Sequence, residues 1–594
     1  MNKSMNILSL YWGICSGASI VCDGHVVAAI HEERFSRQKN DDSYPRRSIE
    51  WCLTEMGLAI EDLEGVAIAS HHQDYFHQLT RPGRWTVENY LQEQHLYWKP
   101  VLISGLPLSY ANVMEHLADR NQYPEWYWID ESRNDTTFSA DRKTITSRYL
   151  GISEEKIVTI EHHRAHAYYA YHASPFRGRK VLVFTIDASG DGHNATIGMF
   201  DERGQYERLF GTNQCFLARY YRYITLLLGM KPNEHEYKLM GLAPYGKERY
   251  GQKALELFRQ TLYVDGLDFK WNIKPTDSYF WFRDRLEGTR FDNIAWALQT
   301  WVEEMLVLWV SNAVEHFGID TVLVSGGVAM NIKAMGRVAS IEGVKEFFVP
   351  GSAADESLAT ASGLCLYDDL SKGHDWSATS EPAIANLYLG PVYDKEAEFA
   401  ALGVLDTDTY EIIDCFSDED VVDRLLAGYV IGRCCGKMEF GQRSLGNRSL
   451  LADPANPYIK EKINAMIKSR DFWMPFAPIM LDTYQRRYLA GPNVQSPYMT
   501  IGFETTLEGY ESMRAACHPA DHTARAQILT ESMNPAMYRL LKLFSLKSGR
   551  GALLNTSFNI HGEPIVTSPA DAIDVLMRSA LDGLLLNSYF VLRK

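Results

Sequence analysis

Val181-Leu182-Val183-Phe184-Thr185-Ile186-Asp187, followed by Ala188-Ser189-Gly190-Asp191-Gly192, is a continuous apolar run that stops at a carboxylate and a glycine-containing turn. Such a run reads as a buried strand whose end delivers a carboxylate, a hydroxyl and backbone amides to one edge. The arrangement recurs at Thr321-Val322-Leu323-Val324, which leads into Ser325-Gly326-Gly327-Val328-Ala329-Met330-Asn331 at the start of a helix, where paired glycines admit close backbone contact. At the beginning of the chain, residues 5–11 run into a turn at 13–17, resume at 18–22, turn at Asp23-Gly24 and return through 25–30. A plain structural hairpin explains that third junction equally well. Together the three predict a duplicated α/β nucleotide-binding fold, because glycine turns let amides approach a phosphate.

A chain of 594 residues exceeds the roughly 300 at which a single core stops growing, so two or more domains are expected. The polar stretch 366–382, with Tyr367-Asp368-Asp369, Lys372-Gly373-His374 and Ser377-Ala378-Thr379-Ser380, is read as the linker. Domains of 1–370 and 371–594 follow. Further β-like runs lie at 428–434, 477–481 and 552–554, and helical patterning lies near 571–576. With 59 basic and 75 acidic residues the net charge is -16, which repels phosphate backbones and anionic lipid at long range and argues against nucleic-acid or membrane partners. Local basic pockets remain compatible with it, since screening confines a ligand's view to nearby side chains. Nine cysteines include no C-x-x-C pair, and with no basic-then-apolar leader and no apolar run of 18 residues the expectation is a cytoplasmic protein with reduced thiols.

His162 and His166 stand at i and i+4 within Glu161-His162-His163-Arg164-Ala165-His166-Ala167, so a helix would present both imidazoles on one face, as a divalent metal requires. A structural or solvent-facing pair is the alternative. The acidic base of H-E-x-x-H is missing, which gives the hydrolytic zinc reading little support. Asp187 and Asp355, each just beyond an apolar run, are the carboxylate candidates, although either could serve as a helix cap. A mixed His/Asp set suits iron, manganese or zinc.

Five stretches carry a family resemblance: Glu32-Glu33-Arg34-Phe35-Ser36-Arg37-Gln38-Lys39; 162–166; Glu236-Tyr237-Lys238-Leu239-Met240-Gly241-Leu242-Ala243-Pro244-Tyr245-Gly246; Gly436-Lys437-Met438-Glu439-Phe440-Gly441-Gln442-Arg443-Ser444-Leu445-Gly446-Asn447-Arg448-Ser449; and 554–564. They resemble the NodU/CmcH O-carbamoyltransferases, which attach carbamoyl groups to antibiotics and nodulation factors. The resemblance implies an α/β protein with an N-terminal duplicated actin/hexokinase-like (ASKHA) domain, similar to the tRNA threonylcarbamoyl transferase, and a C-terminal YrdC-like α/β domain. In such enzymes carbamoyl phosphate and ATP give carbamoyl-adenylate plus pyrophosphate, and an acceptor hydroxyl then attacks the adenylate at the metal-containing domain. The implied metal is iron at His162, His166, Asp187 and Asp355, with Mg²⁺ accompanying ATP. The implied partners are ATP, carbamoyl phosphate and a small natural-product precursor, with a homodimer left open.

Residue by residue, Arg443, Arg448, Lys468, Arg470 and Arg525 supply cations suited to carbamoyl phosphate and ATP. Lys468-Ser469-Arg470 resembles the lysine-x-arginine element of YrdC proteins. Ser557-Phe558-Asn559 resembles their serine-x-asparagine element, and Asn555 joins this binding set. Lys468, Arg443, Arg525 and Ser557 are the catalytic candidates, the cations acting electrostatically; exposed helix-face charge is the bland alternative. In the first domain the Gly326-Gly327 turn would receive adenosine. Lys238 and Asn331 are further nucleotide-binding candidates, against readings as a solvated lysine and a capping asparagine. Where the family has a histidine-aspartate pair after the first strand, this chain has Gly13-Ile14-Cys15-Ser16-Gly17. Cys15, His193 or the substrate must then compensate, or the acceptor is an amine. An ASKHA-type kinase and a noncatalytic carbamoyl-nucleotide-binding subunit are the competing functions. Segment 73–142, rich in Tyr, Trp and His, could line an acceptor pocket or pack.

Overall fold

Each of the three apolar runs is a strand, and they lie in two sheets that repeat one topology. The computed structural model describes residues 4–73, 75–118, 135–372, 374–378 and 382–594. Gly373, Thr379, Ser380 and Glu381 of the expected linker, and Asp74 and 119–134 of the aromatic segment, lie outside the described residues. The chain divides into two units, one of Met1–Glu32 and Asn40–Ala385, the other of Glu33–Lys39 and Asn386–Lys594.

In the first unit β1 (Asn6–Tyr11), β2 (Gly17–Cys22), β3 (His25–His31), β4 (Leu63–Ala69) and β5 (Ile157–Ile160) form a sheet of order β3-β2-β1-β4-β5. Next come β6 (Val181–Gly190), β7 (His193–Phe200), β8 (Tyr206–Thr212), a separate hairpin of β9 (Leu262–Asp265) and β10 (Asp268–Trp271), then β11 (Thr321–Ser325) and β12 (Glu346–Phe348). The second sheet has the order β8-β7-β6-β11-β12. In both, the first three strands are antiparallel and the last two join in parallel, so the duplication read from the glycine junctions is present in the pairing itself. Parallel strands need crossovers, and helix His162–Ala173 follows β5 while Leu358–Leu370 follows β12. Both helices are buried almost throughout. The first packs on β6 and β11, the second on β1, β2 and β4, and they pack on each other.

The second unit centres on a mixed eight-stranded sheet made of β13 (Tyr410–Ile413), β14 (Ile431–Cys434), β15 (Arg448–Ala452), β16 (Ala477–Leu481), β19 (Gln527–Leu529), β20 (Ala552–Ser557), β21 (Gly583–Leu586) and β22 (Phe590–Arg593), with β17 (Leu489–Ala490) and β18 (Glu504–Thr505) pairing apart from it. Its order is β13-β22-β21-β14-β15-β20-β16-β19. Neighbouring residues face opposite sides, as the two-residue period of a strand demands. Leu450, Leu554, Leu584 and Cys434 join one apolar cluster, and Leu451, Leu553, Leu585 and Cys435 the other. Helix Pro569–Arg578 covers the first face with Ile573 and Leu576; helices Asp418–Leu426 and Pro535–Ser548 cover the second with Val421, Val422, Leu540 and Leu541. Cys434 and Cys435 thus point apart, and all nine cysteines are free thiols. No helix among the described residues is long and apolar enough to cross a membrane.

Gly363 makes the helix–sheet contact in the first unit possible, for a Cβ there would lie 2.7 Å from Val21 Cγ2 and 2.9 Å from Ser9 Cβ. Gly363→Val is expected to destabilise this unit by about 1–3 kcal/mol through overpacking, seen as a lower urea midpoint. An unchanged midpoint would show that the helix does not depend on this approach.

Candidate functional site

Six residues of the first unit gather where parallel strands end, the place at which open α/β sheets form their crevices. Tyr11 ends β1, Ser70 follows β4, and His162 opens the helix after β5. Asp187 lies where the β6–β7 register is interrupted, Ser325 ends β11, and Asp355 lies between β12 and its helix. The bulge at Asp187 re-aims its side chain out of the ladder.

Helix His162–Ala173 begins with Glu161 accepting a hydrogen bond from Arg164 N (2.6 Å). Asp191 Oδ2 accepts from His162 N (2.8 Å), and its carboxylate also receives the backbone N–H groups of His71 and His72. Burial opposes the charge on Asp191, yet these donors win and hold its carboxyl below the usual range. The helix so fixed places His162 and His166 side by side, rings 4.8 Å apart. One ligand atom from each of His162, His166, Asp187 and Asp355 lies within 4.8 Å of the others. His166 Nε2 is 3.4 Å from Asp187 Oδ2 and from Asp355 Oδ1, and His162 Nε2 is 3.7 Å from Asp355 Oδ1.

Protein groups hold the His162 and Asp355 atoms that face away from the cluster, and both Asp187 oxygens accept backbone N–H groups. Ser70 Oγ is 2.9 Å from His162 Nδ1, Tyr11 OH donates to Asp355 Oδ2 (2.9 Å), and Gly327 N donates to Asp187 Oδ2 (2.9 Å). His162 Nε2, His166 Nε2 and Asp355 Oδ1 are buried with no hydrogen-bond partner. Burial by itself would make His166 less basic, but Asp187 and Asp355 raise it to about 9, so the two carboxylates call for a positive charge at this point. Two imidazole nitrogens and two carboxylates around one gap are a donor set that a divalent cation fits. Gly190 allows the geometry: a Cβ on it would fall 2.1 Å from His162 Cδ2.

His163 turns away; its Nδ1 is 2.7 Å from Thr185 Oγ1, and burial, aided by His162 and His166, lowers its basicity. Cys15 is buried in a left-handed conformation (φ 64°), its Sγ 3.4 Å from Asn40 Oδ1. Gly326 (φ 94°) lets the chain pass against Ile186, where a Cβ would meet the carbonyl oxygen at 2.4 Å. Asn331 caps helix Ile332–Ala339 through Ala334 N (3.1 Å) and exchanges two 3.0 Å hydrogen bonds with Gln299. Lys238 lies on helix Glu236–Leu242.

In the second unit Lys468 is 2% exposed. Its Nζ donates to Asn559 Oδ1 (2.6 Å), Ser557 Oγ (3.1 Å) and Asn559 O (3.1 Å), and Ser557 Oγ donates to Asn559 Oδ1 (2.7 Å). Asn559 Nδ2 is anchored on Glu563 O (2.6 Å). Lys468 closes a π-helical turn, Asn464–Lys468, and Ser469 after it is left-handed (φ 43°); such irregular turns concentrate at functional sites. Arg470 donates to Thr556 Oγ1 (3.0 Å). Arg443 and Arg525 are half-buried in this unit. Arg448, 1% exposed, is already committed: it donates to the carbonyl oxygens of Thr567, Cys435, Gly436, Asn447 and Pro391. Asn555 is likewise held by Ser444 O and Gln527 Oε1. Glu439 Oε1, missed in the sequence, gathers the N–H groups of Leu445, Asn447 and Arg448 and so shapes the loop that carries Arg443. Tyr11 and Ser70 were missed too, a tyrosine ending a strand-like run and a serine following one being ordinary in sequence.

Residues 8–364 match the description "Carbamoyltransferase N-terminus" and residues 422–593 match "Carbamoyltransferase C-terminus". An uncharacterised protein of Synechocystis is 31% identical over 98% of this chain and 95% of its own. The nodulation protein NolNO of Sinorhizobium fredii is 29% identical over 97% of this chain and 78% of its own. The 3'-hydroxymethylcephem-O-carbamoyltransferase of Streptomyces clavuligerus is 26% identical over 72% and 79% respectively.

Burial first, then the charges of Arg470 and Lys39, push the Lys468 ammonium well below its usual range. An anion at Lys468 favours its charged form, so binding takes up a proton, and affinity should fall as pH rises through the lowered value. Sulfate, whose own charge is constant there, is the probe: calorimetry in buffers of different ionisation enthalpy should show proton uptake, absent in Lys468→Met. Uptake that persists in that variant would assign the proton elsewhere.

Proposed function

This chain belongs to the carbamoyltransferase family, and from that premise we propose that it transfers the carbamoyl group of carbamoyl phosphate, through carbamoyl-adenylate, to a hydroxyl of a small natural-product precursor. The reading rests above all on one observation: three inward atoms, His162 Nε2, His166 Nε2 and Asp355 Oδ1, are buried without hydrogen bonds around a single gap. His162, His166, Asp187 and Asp355 would hold a divalent metal, iron on the family resemblance. When bound, the metal supplies Lewis-acid polarisation of an acyl or phosphoryl oxygen.

In this reading the second unit is the YrdC-like, adenylate-forming half. Lys468, Ser557 and Asn559 bind and orient the donor, while Arg443, Arg470 and Arg525 offset phosphate charge, with Mg²⁺ accompanying ATP. Water cleaves carbamoyl phosphate to carbamate and phosphate. A carbamate oxygen then attacks the α-phosphorus of ATP, and pyrophosphate leaves. The first unit, read as the actin/hexokinase-like half, receives carbamoyl-adenylate with its nucleotide toward Gly326 and Gly327. There the acceptor oxygen attacks the carbamoyl carbon and AMP departs; with no imidazole in residues 13–17, the hydroxyl proton passes to the substrate, Cys15 or His193. Arg448, Asn555 and Asn331 keep the structural partners described above and support the sites by holding backbone and caps.

The test is mass spectrometry of hydroxyl-bearing acceptors incubated with the protein, ATP, carbamoyl phosphate and metal. A carbamoylated product with AMP and pyrophosphate is expected. ADP as the nucleotide product would turn the reading to a kinase, and binding without turnover to a noncatalytic subunit. Gly190→Ala drives a methyl into the His162 ring. It is expected to lower metal affinity and carbamoyl transfer about 10-fold or more, while carbamoyl-phosphate-dependent exchange of pyrophosphate into ATP persists. Unchanged metal content in this variant would remove His162 from the ligand set.

A further inference from the structure

The stretch Glu33–Lys39 belongs to the second unit although 346 residues separate its end from Asn386, where that unit resumes. Its arginines show why. Arg37 donates NH1 to Ile565 O (2.7 Å) and NH2 to Pro564 O (3.0 Å), while its Nε is 3.8 Å from Asp571 Oδ1. Arg34 donates NH2 to Gly441 O (2.6 Å), and Thr567 Oγ1 donates back to Arg34 O (2.9 Å). The strap therefore grips the Glu439–Arg448 loop at Gly441, and the segment after Glu563, on which the Lys468 partner Asn559 is anchored, at three places.

The second grip lies one residue from the anchor of the site. Glu563 O accepts Asn559 Nδ2 (2.6 Å), and Asn559 Oδ1 in turn accepts Lys468 Nζ and Ser557 Oγ. A guanidinium that forks onto the next two carbonyls fixes the backbone from which that anchor hangs. The fork needs two coplanar N–H donors, which a lysine lacks. Arg37 also holds a left-handed backbone (φ 57°), a strained conformation for a residue with a side chain, of the kind that concentrates where structure serves function.

We infer that the Glu33–Lys39 strap is a working part of the anion site in the second unit, and that Arg37 is a positioning residue for Lys468, Ser557 and Asn559. Its role in donor activation rests on the function proposed above; its role in shaping an anion site does not. Residues 386–594 thus lack a part of their own site, which the chain supplies from its first forty residues.

The experiment uses the full-length chain and its Arg37→Ala, Arg37→Gln and Arg37→Lys variants. Sulfate binding at Lys468 is measured by calorimetry, and carbamoyl-phosphate-dependent incorporation of labelled pyrophosphate into ATP is measured as kcat and KM. Arg37→Ala and Arg37→Gln are expected to weaken sulfate at least 10-fold and to lower kcat/KM for carbamoyl phosphate about 100-fold. Arg37→Lys should not restore either, whereas millimolar guanidinium chloride should partly restore Arg37→Ala. Metal content should stay at the wild-type level. Should Arg37→Ala fail to fold, the Gln and Lys variants carry the comparison. Wild-type sulfate affinity in Arg37→Gln, or full function in Arg37→Lys, overturns the inference. A wild-type protein that binds sulfate in an Arg37-dependent way yet exchanges no pyrophosphate would sink the donor reading and keep the strap.

Discussion

Two half-buried carboxylates brought against two buried imidazoles are the constraint around which the first unit is arranged. Asp187 and Asp355 both approach His166 Nε2 at 3.4 Å, and like charges that close repel unless a cation stands between them. Everything adjoining the group serves to keep it assembled. Glu161 and Asp191 fix the start of the histidine helix, Ser70 and Tyr11 hold the outward atoms, and Gly190 and Gly327 supply the space. The duplicated sheet matters because it aligns the ends of β1, β4, β6 and β11 toward the same region, so that residues 11, 70, 187 and 325 meet without any being near another in sequence.

The second unit inverts the electrostatics. There the concentrated charge is positive, with Lys468 close enough to Arg470 and Lys39 to feel their charge. An acidic protein of net charge -16 can hold such a site because burial shields it from the distant surface and strengthens nearby interactions. One unit gathers negative charge and the other positive charge, a division that suits the proposed reaction, in which a phosphate-linked intermediate forms before its acyl group moves.

What sequence discloses depends on range. The strands at 181–190, 321–325, 477–481 and 552–557 and the helix at 569–578 were legible because burial imposes a two-residue or 3.6-residue period on contiguous residues. The His162/His166 pair was legible for the same reason, one helical turn being a local rule. Tyr11 and Ser70 were not singled out, since a tyrosine ending a strand and a serine after one are ordinary until the sheet places them beside Asp355 and His162. Asn331 illustrates the converse: its capping alternative is the geometry found, because the residue type and its place before a helix already contain the reason. The strap had a sequence signature but no legible address, for nothing within Glu33–Lys39 encodes which backbone carbonyls its arginines will find.

Arg448 and Lys468 show why residue type alone does not make a phosphate site. Both are basic residues buried in the second unit, yet every nitrogen of the Arg448 guanidinium is turned onto a backbone carbonyl. Lys468 instead donates to a hydroxyl, a side-chain amide oxygen and the Asn559 carbonyl, while burial and the charges of Arg470 and Lys39 depress its basicity. An anion adds least where a basic group's charged form is already favoured, and most where burial and neighbouring cations disfavour that form. By that criterion Lys468, near Arg470, is the position proposed here for an anion, and the residues that keep its partners in place, Glu563 under Asn559 and the strap on the segment after Glu563, belong to the same proposal.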